Sequence, residues 1–450
     1  MRVTGIILAA GQGTRMRSDL PKVLHPLGGC PLIEYSVSNI RKITDYKPVV
    51  IVGHGAQEVK NLLGEGVDYV FQEPQLGTGH AVQQAENLLK GDVDIIVVVT
   101  ADMPLLTEKT LKRLLDIQLE KNPALALLTT LSEDSYGFGR ILRDPGGKVY
   151  EIVEEAHATE EQLKIKELNA SVYCFDANWL WEALPRIPIS AKGEYYLTDL
   201  VGIAVKDGLA VEAFVIEDNQ ETLGINTRAH LAEAEAIIRK RINMEWMLAG
   251  VTILDPVTTY IERDVIIGQD TVIYPNTFLR GNTQVGAGCV IGPNTIIQDT
   301  RIGDQCQVLS STVEMAILEN NVDVGPYAHL RKGAHLAKGV HMGNFGEVKN
   351  SYIGPGSKMG HFSYIGDATL GSGVNIGAGT ITCNFDGESK HPTEIGEGSF
   401  IGSDTMLVAP IKIGAHSRTG AGSVVTKDVP ANTVVVGVPA RGIRKASTSD

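Results

Sequence analysis

Hydrophobic positions follow two different rules along this chain. In the first half they gather in short runs, Thr4–Ala10, Pro48–Gly53, Val93–Thr100 and Ala124–Leu131, separated by stretches with helical spacing such as Ala81–Leu89 and Glu108–Glu120. Short apolar runs alternating with amphipathic helices predict a Rossmann-like α/β domain, a mostly parallel sheet covered by helices. Such sheets bind ligands beyond the carboxyl ends of their strands. From Thr227 to Ala249 the spacing changes to one long helical stripe through Leu231, Ala234, Ile237, Ile238, Arg241, Ile242, Trp246 and Met247, and Gly250 follows as a cap.

Beyond that helix a short period takes over. Ile267-Gly268, Val285-Gly286 and Ile291-Gly292 are spaced by multiples of six, as are Ile395-Gly396, Ile401-Gly402, Ile413-Gly414 and Thr419-Gly420; Ile353, Met359 and Ile365 keep the same step. An aliphatic residue every sixth position, usually followed by glycine, predicts a left-handed parallel β-helix of hexapeptide repeats: each six residues form one side of a triangular coil, with the aliphatic residue pointing inward. Breaks in the register at Asp299–Gln307 and Cys383–Pro392 predict loops leaving the coil. The expected organisation is a sheet domain over residues 1–227, a linker helix over 228–250 and the β-helix over 251–450.

Composition narrows the function classes. The 450 residues carry 40 Lys and Arg against 53 Asp and Glu, a net charge of -13, which opposes binding to nucleic acid or to an anionic membrane surface. No apolar window is long enough to span a bilayer. The five cysteines are scattered, with no CxxC pair, which predicts reduced thiols and a cytoplasmic protein. More than half of the 49 glycines follow residue 250.

Candidate chemistry begins where the first strand ends. Leu8-Ala9-Ala10-Gly11-Gln12-Gly13-Thr14-Arg15-Met16, with Pro21 and Lys22 shortly after, sets a glycine loop and two cations at a strand terminus. Backbone N–H groups there suit phosphate oxygens, and Arg15 and Lys22 neutralise charge. No GK[ST] follows and the third Rossmann glycine is missing, so neither a P-loop nor a dinucleotide fingerprint is present. A bare glycine turn remains the alternative for this string alone. Asp102, after a buried strand, could serve as a ligand or as a helix N-cap before Met103-Pro104. Asn226 reads equally as a turn residue, and Glu154 as a solvated charge beside Glu155.

Taken together the motifs resemble the sugar-nucleotide pyrophosphorylases. After the glycine string come Gln72 in Phe71-Gln72-Glu73, Gln75-Leu76-Gly77-Thr78-Gly79-His80-Ala81, Asp102, Gly137-Phe138-Gly139-Arg140, Glu151-Ile152-Val153-Glu154, Asn169 and Ile225-Asn226, in that order. With the β-helix behind them, nearly the whole chain resembles the bifunctional N-acetylglucosamine-1-phosphate uridylyltransferase / glucosamine-1-phosphate N-acetyltransferase family. The resemblance implies transfer of UMP from UTP to a sugar phosphate, with Leu8, Ala9, Ala10, Gly11, Arg15 and Lys22 at the phosphates and Gln72, Gly77 and Thr78 at uracil. It places Gly139, Glu154 and Asn169 at the sugar, and a Mg²⁺ on Asp102 and Asn226. One carboxylate, one amide and several waters suit a cation that dehydrates reluctantly.

For the β-helix the resemblance implies acetyl transfer from acetyl-coenzyme A, with His361 as base. His361, Tyr364, Gly366 and Asp367 carry the motif His-x-x-Tyr-x-Gly-Asp; without it His361 would read as a surface histidine like His329, His335, His341, His391 and His416. Arg331 and Lys349 then grip the phosphate, Glu347 orients His361, and Tyr364, Asn375 and Asn384 contact the sugar. Phe385 offers a backbone N–H to the oxyanion, and coenzyme A runs past Ala378, Ser403 and Ala421. Phe385 stands where the family often has tyrosine. Gly437 stands where an arginine often precedes Val-Pro, leaving Arg441 as the nearest cation. Hexapeptide acyltransferases imply a homotrimer, and the polar excursion Cys383–Pro392 is expected to carry Lys390 to a neighbouring chain's Arg331 and Lys349. The alternative is a monofunctional sugar-1-phosphate nucleotidyltransferase whose β-helix only regulates or oligomerises.

Overall fold

The computed structural model describes residues 1–133 and 137–445, which form two compact units divided after Ile238. In the first, the strands are β1 (Val3–Leu8), the short hairpin β2 (Pro26–Leu27) and β3 (Cys30–Pro31), β4 (Val49–Val52), β5 (Asp68–Phe71), β6 (Ile95–Thr100), β7 (Leu125–Leu131), β8 (Arg140–Arg143), β9 (Val149–Val153), β10 (Glu167–Asp176) and β11 (Val211–Val215). The main sheet runs β11-β7-β10-β6-β1-β4-β5. β1 lies parallel to β4 and β6. The exception is β10, antiparallel to both β6 and β7, with β8 and β9 forming an antiparallel branch from it.

The continuous apolar runs follow from burial on both faces. Ile6, Val49, Ile51, Ile96 and Val98 join one core; their neighbours Ile7, Val50, Val52, Val97 and Val99 join the other. Each such side chain contributes about 1.5–3 kcal/mol relative to exposure. Helix α1 (Leu32–Ile43) lies so close to β1 that a Cβ on Gly5 would stand 2.3 Å from Ile40 Cγ2. The predicted helix Ala81–Leu89 is divided into Thr78–Gln83 and Glu86–Leu89. The predicted helix at Glu108 runs to Lys121 and is capped by Thr107, which accepts a hydrogen bond from the Thr110 N–H; Asp102 is therefore no helix cap.

A third core cluster gathers Met16, Leu27, Leu32, Leu223, Ile225 and Ala234, with Leu231, Ile237 and Ile238 packed against it. It anchors the start of the long helix Arg228–Leu248. Farther along that helix Asn243, fully buried, donates to the carbonyls of Pro256 and Thr259.

The second unit is the left-handed parallel β-helix that the period of six predicts. Its three sides are sheets of twelve, ten and nine strands. Ile267, Val285, Ile291, Ile353, Met359, Ile365, Ile395, Ile401, Ile413 and Thr419 are all at most 5% exposed. Corners are tight: a Cβ on Gly396 would stand 2.4 Å from the Ala415 nitrogen.

The two register breaks turn out differently. Residues 299–307 do not leave the coil. Arg301–Ile302 and Gln307–Val308 are regular rungs, and Val285 pairs Ile302 across 17 residues instead of the 18 between Ile267 and Val285, so shortened corners absorb the slip. Residues 383–392 do leave it: Ile376 pairs Ile401, 25 residues on, and a bridge between Phe385 and Lys390 closes the excursion.

Two candidate active sites

The first site lies at the carboxyl ends of β1 and β6. A cavity of about 360 Å³ opens there, and nine of the expected residues line it: Leu8, Ala9, Ala10, Gly11, Lys22, Gln72, Gly77, Thr78 and Asp102. A Cβ on Gly11 would meet nothing within 4 Å, so open space adjoins the loop backbone. Gly13 has φ 63°, and a Cβ there would stand 2.6 Å from Lys22 Cβ; the second glycine lets the two basic segments pack together.

At the floor, Lys22 Nζ lies 2.5 Å from Asp102 Oδ2 and 3.2 Å from Asn226 Oδ1, which Arg15 reaches at 3.0 Å. Asn226 is 124 positions after Asp102 in sequence and arrives because the Ile225 N–H donates to the Asp102 carbonyl at 2.9 Å. Burial pushes the Asp102 carboxyl up, but the Lys22 charge and hydrogen bond outweigh it and hold it below the usual carboxylate range. Among the described residues no three His, Cys, Asp or Glu side chains form a metal cage. Asp102 and Asn226 nevertheless present two oxygens to one cation, here the lysine ammonium. That donor set fits a magnesium ion that keeps waters and takes phosphate oxygens.

Gln72 is 5% exposed, and its amide nitrogen is engaged by the Gly77 carbonyl at 3.0 Å and His80 Nδ1 at 3.1 Å. Among the described residues nothing donates to its Oε1. Gly139, Glu154 and Asn169 also meet. The Asn169 N–H donates to the Gly139 carbonyl, and a Cβ on Gly139 would stand 3.7 Å from Glu154 Cδ. Asn169 is only 2% exposed; it donates to Tyr173 Oη at 2.7 Å and its Oδ1 accepts from the Ser171 N–H. Sequence reasoning passed over Thr100, Glu194 and Tyr196, which also line the cavity. The last two come from a polar loop with no periodic signal.

The β-helix gathers its expected residues at two corners. At one, Arg331, Lys349 and Lys390 converge. The Lys390 ammonium beside Lys349, and then the Lys390 and Arg331 charges, hold Lys349 below the usual lysine value. Arg331 donates to Glu347 Oε1 at 2.7 Å. Asp367 accepts from Asn350 at 2.6 Å and from Asn384 at 2.5 Å, which ties Asn384 to this corner. Tyr364 is paired with Glu347 on the adjoining side. Asn350 and the bridging role of Asp367 were missed, because the pairing joins residues 17 apart and carries no period-six mark.

At the other corner stands His361, exposed. Ala378, Ser403 and Ala421 lie on successive turns of the same corner, linked as Asp404 N–H to the Ala378 carbonyl and Gly422 N–H to the Ser403 carbonyl; the Gly379 N–H donates to the Phe362 carbonyl directly after His361. Arg441 is exposed on the terminal hairpin, and Phe385 is exposed on the excursion.

Two expectations are corrected. Glu347 is held by Arg331 and does not orient His361: its carboxylate finds a nearer, permanently charged partner. Lys390 reaches Arg331 and Lys349 of its own chain, because the Phe385–Lys390 bridge folds the excursion back on its own coil. His361 precedes the strand Ser363–Gly366, whose far end pairs Lys349, so at most about 17 Å of chain separates the two positions. Asn375 lies on a different side from Tyr364.

Comparison with known proteins bears on both units. The family of MobA-like NTP transferase domains matches residues 5–172, and that of bacterial transferase hexapeptides (six repeats) matches residues 264–299 and 392–427. The chain is 47% identical over 434 residues to the bifunctional protein GlmU of Heliobacterium modesticaldum, covering 96% of this chain and 95% of that one. It is 45% identical over 432 residues to that of Shouchella clausii, with the same coverage, and 44% identical over 446 residues to that of a Geobacillus species, covering 99% and 97%.

Proposed function

The chain belongs to the bifunctional GlmU family, and from that premise we propose how its two units divide the work. The protein is a bifunctional transferase. It acetylates glucosamine 1-phosphate with acetyl-coenzyme A, then transfers UMP from UTP to N-acetylglucosamine 1-phosphate, releasing pyrophosphate. The observation that carries the first site is the convergence of Lys22, Asp102, Asn226 and Arg15 at the end of the glycine loop.

A sugar-phosphate oxygen attacks the α-phosphorus of UTP in line, and the protein contributes chiefly position and charge. The Ala10–Gly11 backbone, Arg15 and Lys22 receive the triphosphate. The free Oε1 of Gln72 suits the uracil N3–H, and the Gly77–Thr78 backbone suits the rest of the imide edge. Glu154 accepts from a sugar hydroxyl, with Gly139 and Asn169 beside it. Asp102 and Asn226 would hold Mg²⁺, which supplies charge neutralisation at the phosphates when bound.

For acetylation, His361 removes a proton from the substrate ammonium; the freed amine attacks the thioester carbonyl and coenzyme A leaves as the thiol. The row of small side chains Ala378, Ser403 and Ala421 suits coenzyme A, with Arg441 and the Phe385 backbone as further contacts. Arg331, Lys349 and Lys390 suit the sugar phosphate, and Tyr364, Asn375 and Asn384 its hydroxyls. The base stands at one corner of the coil and the three cations gather at another, which favours a homotrimer whose copies complete each other's sites. We assign uridylyl transfer to residues 1–227, the link to 228–250 and acetylation to 251–450, in a cytoplasmic enzyme. No helix among the described residues is long and apolar enough to cross a membrane. The test is a set of omissions from a mixture of glucosamine 1-phosphate, acetyl-coenzyme A, UTP and Mg²⁺. Omitting acetyl-coenzyme A should abolish UDP-N-acetylglucosamine, and omitting UTP should leave N-acetylglucosamine 1-phosphate. Sugar-nucleotide formation with no acetyl-coenzyme A turnover would reduce the protein to a monofunctional nucleotidyltransferase.

A further inference from the structure

The polar loop ahead of the helix Asp199–Lys206 touches both halves of the first site. A compact turn opens it: the Ser190 N–H donates to the Glu194 carbonyl at 2.9 Å and the Glu194 N–H to Ser190 Oγ at 3.1 Å. The chain then runs along the turn expected to read uracil. The Tyr195 N–H donates to the Leu76 carbonyl and the Gly79 N–H to the Tyr195 carbonyl, both at 2.8 Å, and the Leu197 N–H donates to Thr78 Oγ1 at 3.0 Å. A Cβ on Gly77 would stand 2.6 Å from the Tyr195 oxygen, and Gly77 has φ 98°, so only glycine allows this approach.

One residue later the loop reaches the sugar side. Thr198, 6% exposed, donates through Oγ1 to Glu154 Oε1 at 2.9 Å. Tyr196, between the two attachments, lines the cavity. Burial, and then the charges of Glu154 and Glu151, push the adjacent Asp199 carboxyl up.

We propose that residues 194–198 form a strap that couples the uracil turn to the sugar carboxylate, with Thr198 as the positioning residue of Glu154. The strap rests on the reading of Glu154 as the acceptor of a sugar hydroxyl. A hydroxyl donating to one carboxylate oxygen fixes the plane of the group and leaves the second oxygen for the sugar; such charge-assisted bonds are the stronger kind. Backbone bonds at Leu76, Thr78 and Gly79 carry any displacement of that carboxylate to the uracil turn, so sugar phosphate and nucleotide each change the other's affinity by the same factor.

The test compares T198V, T198S and E154Q in the full chain, with acetylation as the control for folded protein. T198V removes the donor at nearly constant shape. Its KM for N-acetylglucosamine 1-phosphate should rise about tenfold, with kcat changing less than twofold and T198S restoring the wild-type value. The factor by which the sugar phosphate changes UMP affinity should shrink toward one in T198V. If E154Q is impaired while T198V keeps wild-type KM and coupling, the strap is overturned and the sugar site stands. If E154Q is itself unimpaired, the reading of Glu154 falls and the strap with it.

Discussion

Replacing Asp102 with asparagine separates the two activities and exposes the electrostatics of the first site. Lys22 Nζ and Asp102 Oδ2 are 2.5 Å apart, with side chains only 12% and 22% exposed. At an effective dielectric of ~20, unit charges at that distance attract by roughly 7 kcal/mol. Desolvation of both groups cancels most of this, leaving a net stabilisation on the order of 1–3 kcal/mol. Asparagine preserves the shape, so unfolding free energy should fall by no more than that. Activity should fall further, because the only carboxylate of the proposed Mg²⁺ pair is gone: about 10³-fold in uridylyl transfer, or about 4 kcal/mol of transition-state stabilisation. The assay follows pyrophosphate release at saturating UTP and Mg²⁺, with thiol release from acetyl-coenzyme A measured on the same sample. Acetylation should be unchanged, since the two units have separate cores. Metal-free UTP binding should hold or tighten, because Lys22 is released to the phosphates. A folded D102N protein that transfers uridylyl within tenfold of wild type, or that loses acetylation in parallel, would refute the reasoning.

Other expected outcomes follow from single contacts. A fragment ending after Ile238 should retain uridylyl transfer, while one ending at Arg228 should be less stable by about 2–4 kcal/mol, because it drops Leu231 and Ala234 from the cluster around Ile225; equal denaturation midpoints would count against that packing. Burial raises the Glu167 carboxyl, but hydrogen bonds from Arg143 and Thr129 and the Arg143 charge hold it below the ordinary value. E167Q should therefore cost about 1–2 kcal/mol at pH 7, a difference that fades as pH drops below the ordinary glutamate range and the wild-type carboxyl takes a proton; a pH-independent difference would contradict the ion pair. Lys390→Met should raise the KM for glucosamine 1-phosphate about tenfold in acetylation, an effect that shrinks in high salt and is absent from uridylyl transfer. Reassembled mixtures of His361→Ala and Lys390→Ala chains should regain acetylation, since a shared site lets some interfaces carry both intact residues; activity fixed at the mean of the two variants would place base and clamp in one chain.

What the sequence disclosed, and what it withheld, divides along the range of the interactions concerned. Ile6 and Ile7 face opposite cores, and Ile353, Met359 and Ile365 face inward, because burial acts on each residue and therefore writes a period. Strand direction writes none: Glu167–Asp176 is mostly buried like its two neighbours yet runs antiparallel to both. Residues 299–307 broke the period without leaving the coil, since a corner can shed a residue while the rungs stay paired. Asp102 and Asn226 were legible as types through resemblance, whereas their meeting depends on one backbone bond from Ile225.

The same distinction explains the β-helix site. Identity and spacing pointed to His361, Lys349 and Lys390 but gave no indication of which corner each would occupy. A coil of three sides places residues about six apart on different sides and residues about eighteen apart on the same side, so proximity in sequence is nearly opposite to proximity in space. Lys349 and Lys390 are 41 positions apart and touch, while His361 and Lys349, 12 apart, stand at different corners. A histidine beside the row Ala378, Ser403 and Ala421, and a trio of cations at another corner, are read as complementary halves of the proposed acetylation site. In the proposed homotrimer, threefold symmetry supplies the other half from an identical chain at every interface, without any further residue having to be specified.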